Sequence, residues 1–196
     1  MPKQKCYPPC SPNGYPHIDP FWSRYLDLVK EVMLPYQWDA LNDRIPGAEP
    51  SCAVQNFQIA AGLAQGEFQG EVFQDSDVAK WLEAAAYLLA AVRILNWKRL
   101  RRMIEIIEKA QRPDGYLDTY FIIKEPKKRW SNLYECHEMY VAGHIIEAAA
   151  ATIRLPEKEG FWMWRAGWQT ILKAFLERNR KRYKGIRAIR KLNWRL

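Results

Sequence analysis

The chain has 196 residues, 48% of them hydrophobic and 27% charged, which suits one globular unit with a sizeable core. Lys and Arg number 30 against 22 Asp and Glu, so the formal net charge is +8, and nine residues are Trp. A basic, Trp-rich chain suggests nucleic acid or an acidic surface as a partner. However, residues 152–196 hold 13 basic and 3 acidic side chains, so the basic character belongs to the tail.

Several protein classes are excluded at this stage. No stretch approaches the roughly 20 apolar residues that cross a bilayer. The first 20 residues lack the apolar core of a signal peptide, so we expect a cytoplasmic protein without a membrane partner. The four Cys are too few and too scattered for a disulfide scaffold. Cys6 and Cys10 have no second pair, so they are not taken as a zinc site.

The first half of the chain predicts an irregular arm followed by helices. Residues 1–20 are rich in Pro and lack periodicity. Apolar residues at helical spacing predict a helix over Phe21–Leu34, ended by Pro35. Ser51 is predicted to cap a second helix that runs to about Gln65, and residues 66–75 are predicted to form a loop.

Three further helices follow. Ser76 is predicted to cap a strong helix with an apolar stripe, and Met103–Gln111 forms a shorter one, closed by a turn at Arg112–Gly115. Leu133–Ala151 has the composition and the period of a helix. No run alternates convincingly with period two, so the predicted fold class is all-α.

Two histidines on the last predicted helix are candidate site residues. His137 and His144 are seven residues apart, which places them on one face of the helix. The rise between them is about 10 Å, too far for one metal ion to bind both directly. Together with Tyr140 they could line a polar pocket, or they could be hydrogen-bonded core histidines, and the spacing leaves both interpretations open.

A second candidate site lies at the start of the strong helix, where Gln74, Asp75 and Asp77 cluster. Acidic groups at a helix N-terminus favour the helix dipole, so capping is the simpler account. Hydroxyl recognition is the functional account, because carboxylates and amides make directional hydrogen bonds to sugars. Five aromatic residues fit either a core or a saccharide-stacking wall: Trp38, Phe73, Trp81, Tyr116 and Tyr120.

The segments 21–43, 67–87, 109–121 and 135–151, in this order, resemble glycoside hydrolase family 127, whose characterised activity is β-L-arabinofuranosidase. The most specific parts are VFQDSD, DGYLDT and HEMY followed two residues later by GH. The resemblance implies that residues 21–151 form the N-terminal portion of an α/α six-hairpin toroid, or α/α barrel, that is truncated in this chain. It also implies an arabinofuranoside-type carbohydrate as the partner.

The resemblance further implies a retaining hydrolase with a Cys nucleophile, a Glu acid/base and a zinc ion held by Cys and Glu ligands. Those residues are expected beyond the end of this chain, so no catalytic or metal residue is assigned here and the chain alone is expected to be inactive. The family's sugar-contacting His falls on His137. Gln74, Asp75 and His144 also match family positions, and they complete the predicted substrate-binding set.

The basic tail is interpreted as out-of-frame translation, because the resemblance stops after Ala151. Trp and Met each have one codon, so reading Phe161–Trp164 one base earlier forces Leu-Asp-Val, and Asn193-Trp194 forces Leu. With permitted codons elsewhere, the tail becomes family-like sequence that ends in GHQEIELAL. The same shift is a weaker hypothesis for residues 91–102, where it needs two compensating frame changes.

Two alternatives come from other classes of protein. If the tail is a real basic arm, the chain could be a small all-α binding protein that contacts nucleic acid through residues 178–195. A pseudo-enzyme that binds sugar without cleaving it is the third possibility. The preferred interpretation has no nucleic-acid partner, and the sequence does not indicate the oligomeric state.

Overall fold

The computed structural model describes residues 20–92 and 97–153, and within these ranges the chain forms helices and turns without any strand. The predicted all-α class is therefore confirmed. The predicted arm (1–20) and basic tail (152–196) lie outside the described residues except at their inner edges, and so does part of the 91–102 segment. None of the described helices is long and apolar enough to cross a bilayer.

Seven α-helices follow one another along the described chain. They are α1 (Pro20–Leu28), α2 (Leu34–Leu41), α3 (Ala53–Ala60), α4 (Asp75–Val92), α5 (Trp97–Ala110), α6 (Thr119–Ile123) and α7 (Glu138–Ile153). A π-helical turn at Val29–Met33 joins α1 to α2, and a 3-10 turn at Pro126–Lys128 follows α6.

The first predicted helix does not end at Pro35, and this prediction was wrong. Helical structure continues through the π-turn to Leu41, and the N–H of Leu34 donates to the carbonyl of Val29, five residues back. Proline lacks an N–H, and its ring would clash with the carbonyl four residues before it in an α-helix. The wider π-turn makes room for that ring, so the helix accommodates Pro35 at the start of α2.

Helix α3 is shorter than predicted, because it ends at Ala60 rather than near Gln65. Gly62 follows in the left-handed region with a φ of +70°, which a helix cannot continue through. At the other end, Cys52 rather than the predicted Ser51 occupies the N-cap position, and it makes no side-chain cap hydrogen bond; the Ser51 hydroxyl accepts from the Ala53 N–H at 3.4 Å.

The other helix boundaries also move. Helix α4 begins at Asp75, so Ser76 lies inside its first turn rather than before it. Helix α5 starts at Trp97, six residues before the predicted start, whereas α7 starts at Glu138 rather than Leu133. The predicted turn at 112–115 is confirmed, with the Gly115 N–H donating to the Arg112 carbonyl at 2.8 Å.

Two tryptophans hold α2 against α4 in the core. The rings of Trp38 and Trp81 lie 4.5 Å apart between centroids, and both side chains are buried. The indole N–H of Trp81 donates to the carbonyl of Leu34 at 3.0 Å, so its polar edge is satisfied inside the core. This contact fixes the position of α4, whose beginning carries part of the candidate site.

Helices α4 and α7 pack closely and begin at the same end of the bundle. Phe73 and His137, which precede the two helices, are in ring contact, and the Lys80 ammonium farther along α4 lies 5.2 Å from the ring of Tyr140 on α7. Both helices are rich in buried alanine, which permits close approach of their backbones. Residues near the two helix starts are therefore brought onto one end of the molecule.

We expect the Trp81→Phe substitution to lower the free energy of unfolding by about 1–2 kcal/mol, because it removes a buried hydrogen bond and part of the contact with Trp38. Urea unfolding followed by circular dichroism measures the change. The matched control is Tyr87→Phe on the exposed side of α4, for which we expect less than about 0.5 kcal/mol. Equal destabilisation by the two substitutions would contradict the role given to Trp81.

Candidate functional site

The candidate site lies where α4 and α7 begin. Gln74 is the residue immediately before α4, and His137 is the residue immediately before α7. Phe73 lies against His137, with ring centroids 5.6 Å apart and planes at 83°. The turn from Arg112 to Thr119 reaches the same end of the two helices, because Thr119 bonds to the first residue of α4.

Four rings form a continuous row along this end and the first turns of α7, here named the ring strip: Phe73, His137, Tyr140 and His144. Successive centroids lie 5.6, 6.2 and 4.5 Å apart, and the planes meet edge to face. His137 is exposed, and Phe73 and Tyr140 are 37% and 45% exposed. The strip therefore presents aromatic surface and the exposed His137 imidazole to solvent together, whereas Nδ1 of His144 is buried.

The two histidines occupy different environments on α7. His137 is exposed at the helix start, so it is not a core histidine. The His144 side chain is about a quarter exposed, and its Nδ1 lies 3.3 Å from Oε2 of Glu147. Within the described residues, that nitrogen has no partner in hydrogen-bond geometry. We regard the pair as a contact at ion-pair distance rather than as a hydrogen bond.

Gln74 is held at the edge of the site by its own amide group. Its Nε2 donates to Ser51 Oγ at 3.3 Å and to Asp77 Oδ2 at 3.4 Å, and its Oε1 accepts from the Glu71 N–H at 3.3 Å. Gly70 has a φ of +90°, and a Cβ added there would meet Gln74 Oε1 at 3.2 Å. The glycine therefore permits both the turn and the close approach of this amide.

Asp75 is buried, and both of its oxygens are used inside the protein. Oδ1 accepts from the Thr119 hydroxyl, and Oδ2 accepts from the Thr119 N–H, each at 2.6 Å. The carboxylate thus joins the start of α4 to the start of α6 and is not open to solvent. Sugar binding by Asp75 stays a prediction, and the structure shows it as a link between segments.

A second buried carboxylate, Glu138, makes an equivalent link at the start of α7. Its Oε1 accepts from the Tyr116 hydroxyl at 2.6 Å, and its Oε2 accepts from the Trp130 N–H at 2.7 Å. Hydrogen bonds to a charged acceptor are short and strong, so this side chain is firmly held. Asp75, Asp118 and Glu138, each 2% exposed, are named the carboxylate cluster.

Burial dominates the electrostatics of this cluster. It raises the pKa of Asp75 to about 6, against the opposing effect of the Thr119 hydrogen bonds. The pKa of Asp118 lies well above its usual range, because burial raises it most and the charges of the nearby Asp75 and Glu138 raise it further. Asp118 Oδ1 accepts from the Phe121 N–H at 3.3 Å, but Oδ2 has no partner among the described residues. Burial and the neighbouring carboxylates therefore favour the neutral form of Asp118.

A zinc ion, implied by the family resemblance, does not fit the described part of the chain. No group of three or more His, Cys, Asp or Glu in these ranges could hold a metal ion. Cys52 is buried with its Sγ 3.5 Å from Gln69 Oε1, and Cys136 is a second free thiol. Cys6 and Cys10 lie outside the described residues. No chemical step is therefore derived through zinc.

The five candidate aromatics divide between the two roles left open by the sequence. Trp38, Trp81 and Tyr116 belong to the buried core, whereas Phe73 is exposed on the ring strip. Tyr120 is partly buried and packs edge-on against Phe68. Whether a side chain is buried depends on the tertiary structure. The sequence alone therefore did not show which of these aromatic residues belong to the core and which could form a sugar-stacking wall.

Three residues of the site were not singled out by sequence reasoning. Thr119 and Glu138 lie within the DGYLDT and HEMY motifs, so membership of a motif was the available signal. Asn56 had no such signal. It is fully buried, and its amide donates to the Gln69 carbonyl at 2.7 Å and accepts from the Gln69 N–H at 3.2 Å, which holds the loop before α4.

We expect the free energy of unfolding to fall as the pH rises from about 4.5 to about 7.5. The folded-state pKa values of Asp75 and Asp118 lie above their ordinary values, so the folded chain binds protons more tightly than the unfolded chain. The resulting stabilisation is complete below the unfolded pKa of about 3.9 and is lost as the pH passes through the folded values. Urea unfolding across this range measures it.

The Asp118→Asn variant should flatten this dependence, because the amide keeps an oxygen for the Phe121 N–H and cannot ionise. Asp39→Asn is the matched control, since Asp39 forms an exposed ion pair with Arg44. An unchanged slope in Asp118→Asn, or an equal loss of slope in the control, would show that Asp118 is not the buried acid responsible.

Comparison with known proteins places this chain in a family. The family model described as the β-L-arabinofuranosidase, GH127 catalytic domain matches residues 17–164. The match starts four residues before the segment predicted from the sequence and ends inside the basic tail. A non-reducing end β-L-arabinofuranosidase of Bifidobacterium longum subsp. longum is 46% identical over 149 residues, which cover 67% of this chain and 23% of that protein.

Solved structures agree with this match. A crystal structure of a GH127 β-L-arabinofuranosidase from Geobacillus stearothermophilus T6 has a TM-score of 0.76 and 53% identity, over 82% of this chain and 25% of that one. A second GH127 β-arabinofuranosidase has a TM-score of 0.65 and 26% identity, over 84% and 25%. The chain thus spans about a quarter of the length of these relatives. It belongs to glycoside hydrolase family 127 and forms part of the α/α toroid of its catalytic domain.

Proposed function

We propose that this chain supplies one wall of the sugar-binding site of a β-L-arabinofuranosidase, whose substrate is an arabinofuranoside-type carbohydrate. The observation that carries the proposal is the ring strip, which places the exposed His137 imidazole between the rings of Phe73 and Tyr140 at the common start of α4 and α7. Sugars offer hydroxyl groups and apolar C–H faces, and this combination of side chains matches both.

The predicted substrate-binding residues would contribute to sugar binding in different ways. His137 donates or accepts one hydrogen bond to a furanoside hydroxyl from its exposed position, and the side chain of His144 supplies a second imidazole farther along the strip. Gln74 borders the strip with an amide already oriented by Ser51 and Asp77. Asp75 contributes from beneath, because it fixes Thr119 against the first turn of α4.

The reaction is hydrolysis of a glycosidic bond, and retaining enzymes of this kind use a nucleophile and an acid/base group. In the family that this chain resembles, other residues act as the nucleophile, the acid/base group and the zinc ligands. No position of this chain matches those residues. We therefore infer that residues 1–196 contribute to substrate binding, and that the chain alone does not hydrolyse an aryl β-L-arabinofuranoside.

Binding without cleavage is the testable core of this proposal. We expect methyl β-L-arabinofuranoside to bind the 196-residue chain and His137→Ala to weaken the affinity by about tenfold, which corresponds to one lost hydrogen bond of about 1.4 kcal/mol. A titration followed by NMR measures the affinity. Tyr87→Ala, which removes an exposed aromatic residue on α4 away from the strip, should leave it unchanged.

Equal weakening by His137→Ala and Tyr87→Ala would contradict the proposal, as would an affinity for methyl β-D-galactopyranoside that matches the affinity for the arabinofuranoside. Zinc-dependent turnover of the aryl substrate by this chain would refute the inference that it only binds.

We also propose that residues from about 152 onward are out-of-frame translation, and the same explanation is the weaker hypothesis for residues 91–102. These segments contribute +10 and +5 to the net charge of +8, so the rest of the chain sums to −7. They also contain five of the nine Trp. This explanation accounts for both compositional anomalies without a nucleic-acid partner.

We expect the gene to contain, between codons 148 and 155, a point after which the preceding frame encodes family-like sequence. Sequencing the gene and its transcript tests this directly. An intact homologous frame that ends at Leu196, or codons that cannot encode the restored sequence, would overturn the proposal. Tight binding of nucleic acid with steep salt dependence would favour a real basic arm instead.

A further inference from the structure

We propose that Glu138 is a positioning residue for His137: its buried carboxylate holds the backbone that places the imidazole in the ring strip. The contribution to sugar binding rests on the function proposed above, whereas the positioning itself does not. Glu138 directly follows His137, and its two oxygens accept hydrogen bonds from two different segments, at the Tyr116 hydroxyl and the Trp130 N–H.

The backbone at this point is strained. His137 and Trp130 have φ values of +53° and +63°, in the left-handed region that non-glycine residues adopt at a cost. Such conformations persist only where the surroundings over-determine them. Here the Glu138 carboxylate closes the segment 130–138 on itself, because it accepts from the N–H of the residue at the segment's beginning.

Other bonds make the segment between these two residues stiff. Asn132 and Glu135 exchange hydrogen bonds, since the Asn132 amide donates to the Glu135 carboxylate and the Glu135 N–H donates to Asn132 Oδ1. The Cys136 N–H donates to the Asn132 carbonyl at 3.2 Å. On the other side, the carbonyl of His137 accepts from the Val141 N–H at 3.0 Å, which joins it to α7.

The Tyr116 hydroxyl extends this control to the DGYLDT turn. Tyr116 is buried, its ring meets Trp130 edge-on at 5.3 Å, and the Arg129 guanidinium lies 4.2 Å above it. The carboxylate therefore joins the turn, the segment 130–138 and α7 at one point. Loss of either bond to Glu138 releases the left-handed backbone of His137, and the imidazole loses its fixed distance from Phe73.

His144 provides an internal comparison. It lies seven residues farther along the same helix, and it contacts Tyr140 and Glu147 rather than the carboxylate of Glu138. A general structural role for Glu138 would disturb both imidazoles or unfold the chain. A positioning role changes His137 and leaves His144 unaffected.

The experiment records the imidazole signals of the 196-residue chain by NMR. The chain contains three His, so the spectrum is simple, and His137→Ala assigns the signal that matters. Tyr116→Phe removes the hydroxyl that donates to Glu138. Glu138→Gln keeps the size of the side chain but places an NH2 group, which is a donor, against one of the two donors that the carboxylate accepts from. Glu105→Gln, in an exposed ion pair on α5, is the matched control.

We expect Tyr116→Phe and Glu138→Gln to move the His137 signal well beyond the control, with the His144 signal and the helical circular dichroism unchanged. In the sugar titration they should weaken binding by about threefold to tenfold, as loss of a supporting residue does. Unchanged His137 signals in both variants, or equal changes at His137 and His144, would overturn the proposal. If the unsubstituted chain binds no sugar, the proposed function fails, while the NMR comparison still decides the positioning role.

Discussion

The structure around the candidate site depends on how two buried carboxylates, Asp75 and Glu138, find hydrogen-bond donors. Burial of a carboxylate costs several kcal/mol unless donors replace the lost water. Asp75 takes both of its donors from Thr119, and Glu138 takes one from Tyr116 and one from Trp130. Because these donors belong to the segment between α5 and α7, the carboxylates tie that segment to the starts of both helices. Breaking one bond would leave an uncompensated buried group, so the arrangement resists small displacements.

This rigidity has a consequence for the surface above it. A neutral sugar offers no charge to attract, so its affinity comes from several directional hydrogen bonds and from stacking, and each of these needs correct placement. The ring strip joins the loop before α4 to the start and the first turns of α7, and it stays continuous only if the two helix starts keep their spacing. The buried cluster sets that spacing, whereas the exposed rings provide the contacts. In the proposed function, binding and positioning are therefore assigned to different residues of the same short motifs.

The all-α class and most of the helices could be predicted from periodicity, because the apolar stripes of α4 and α7 are long and regular. The errors have local physical causes. Pro35 normally ends a helix, but the π-turn before it made room for the ring, and no pattern in the sequence marks such a turn. The helix over Thr119–Ile123 was missed because five residues are too few for a period. The segment before α7 appeared helical by composition, although His137 in the left-handed region prevents a helix there.

The candidate site shows the limit of reasoning from motifs. The family resemblance placed Gln74, Asp75, His137 and His144 in one set, because all four match family positions. In the structure they differ by environment: His137 is exposed, Gln74 lies at an edge, and Asp75 is engaged on both oxygens inside the protein. One sequence motif can contain residues with different tasks. A buried carboxylate that fixes the start of a helix is as necessary to the site as an imidazole that contacts the ligand. Only the three-dimensional contacts distinguish the two, because burial keeps the Asp75 carboxylate away from a ligand in solution, although each of its oxygens has room to accept a second hydrogen bond.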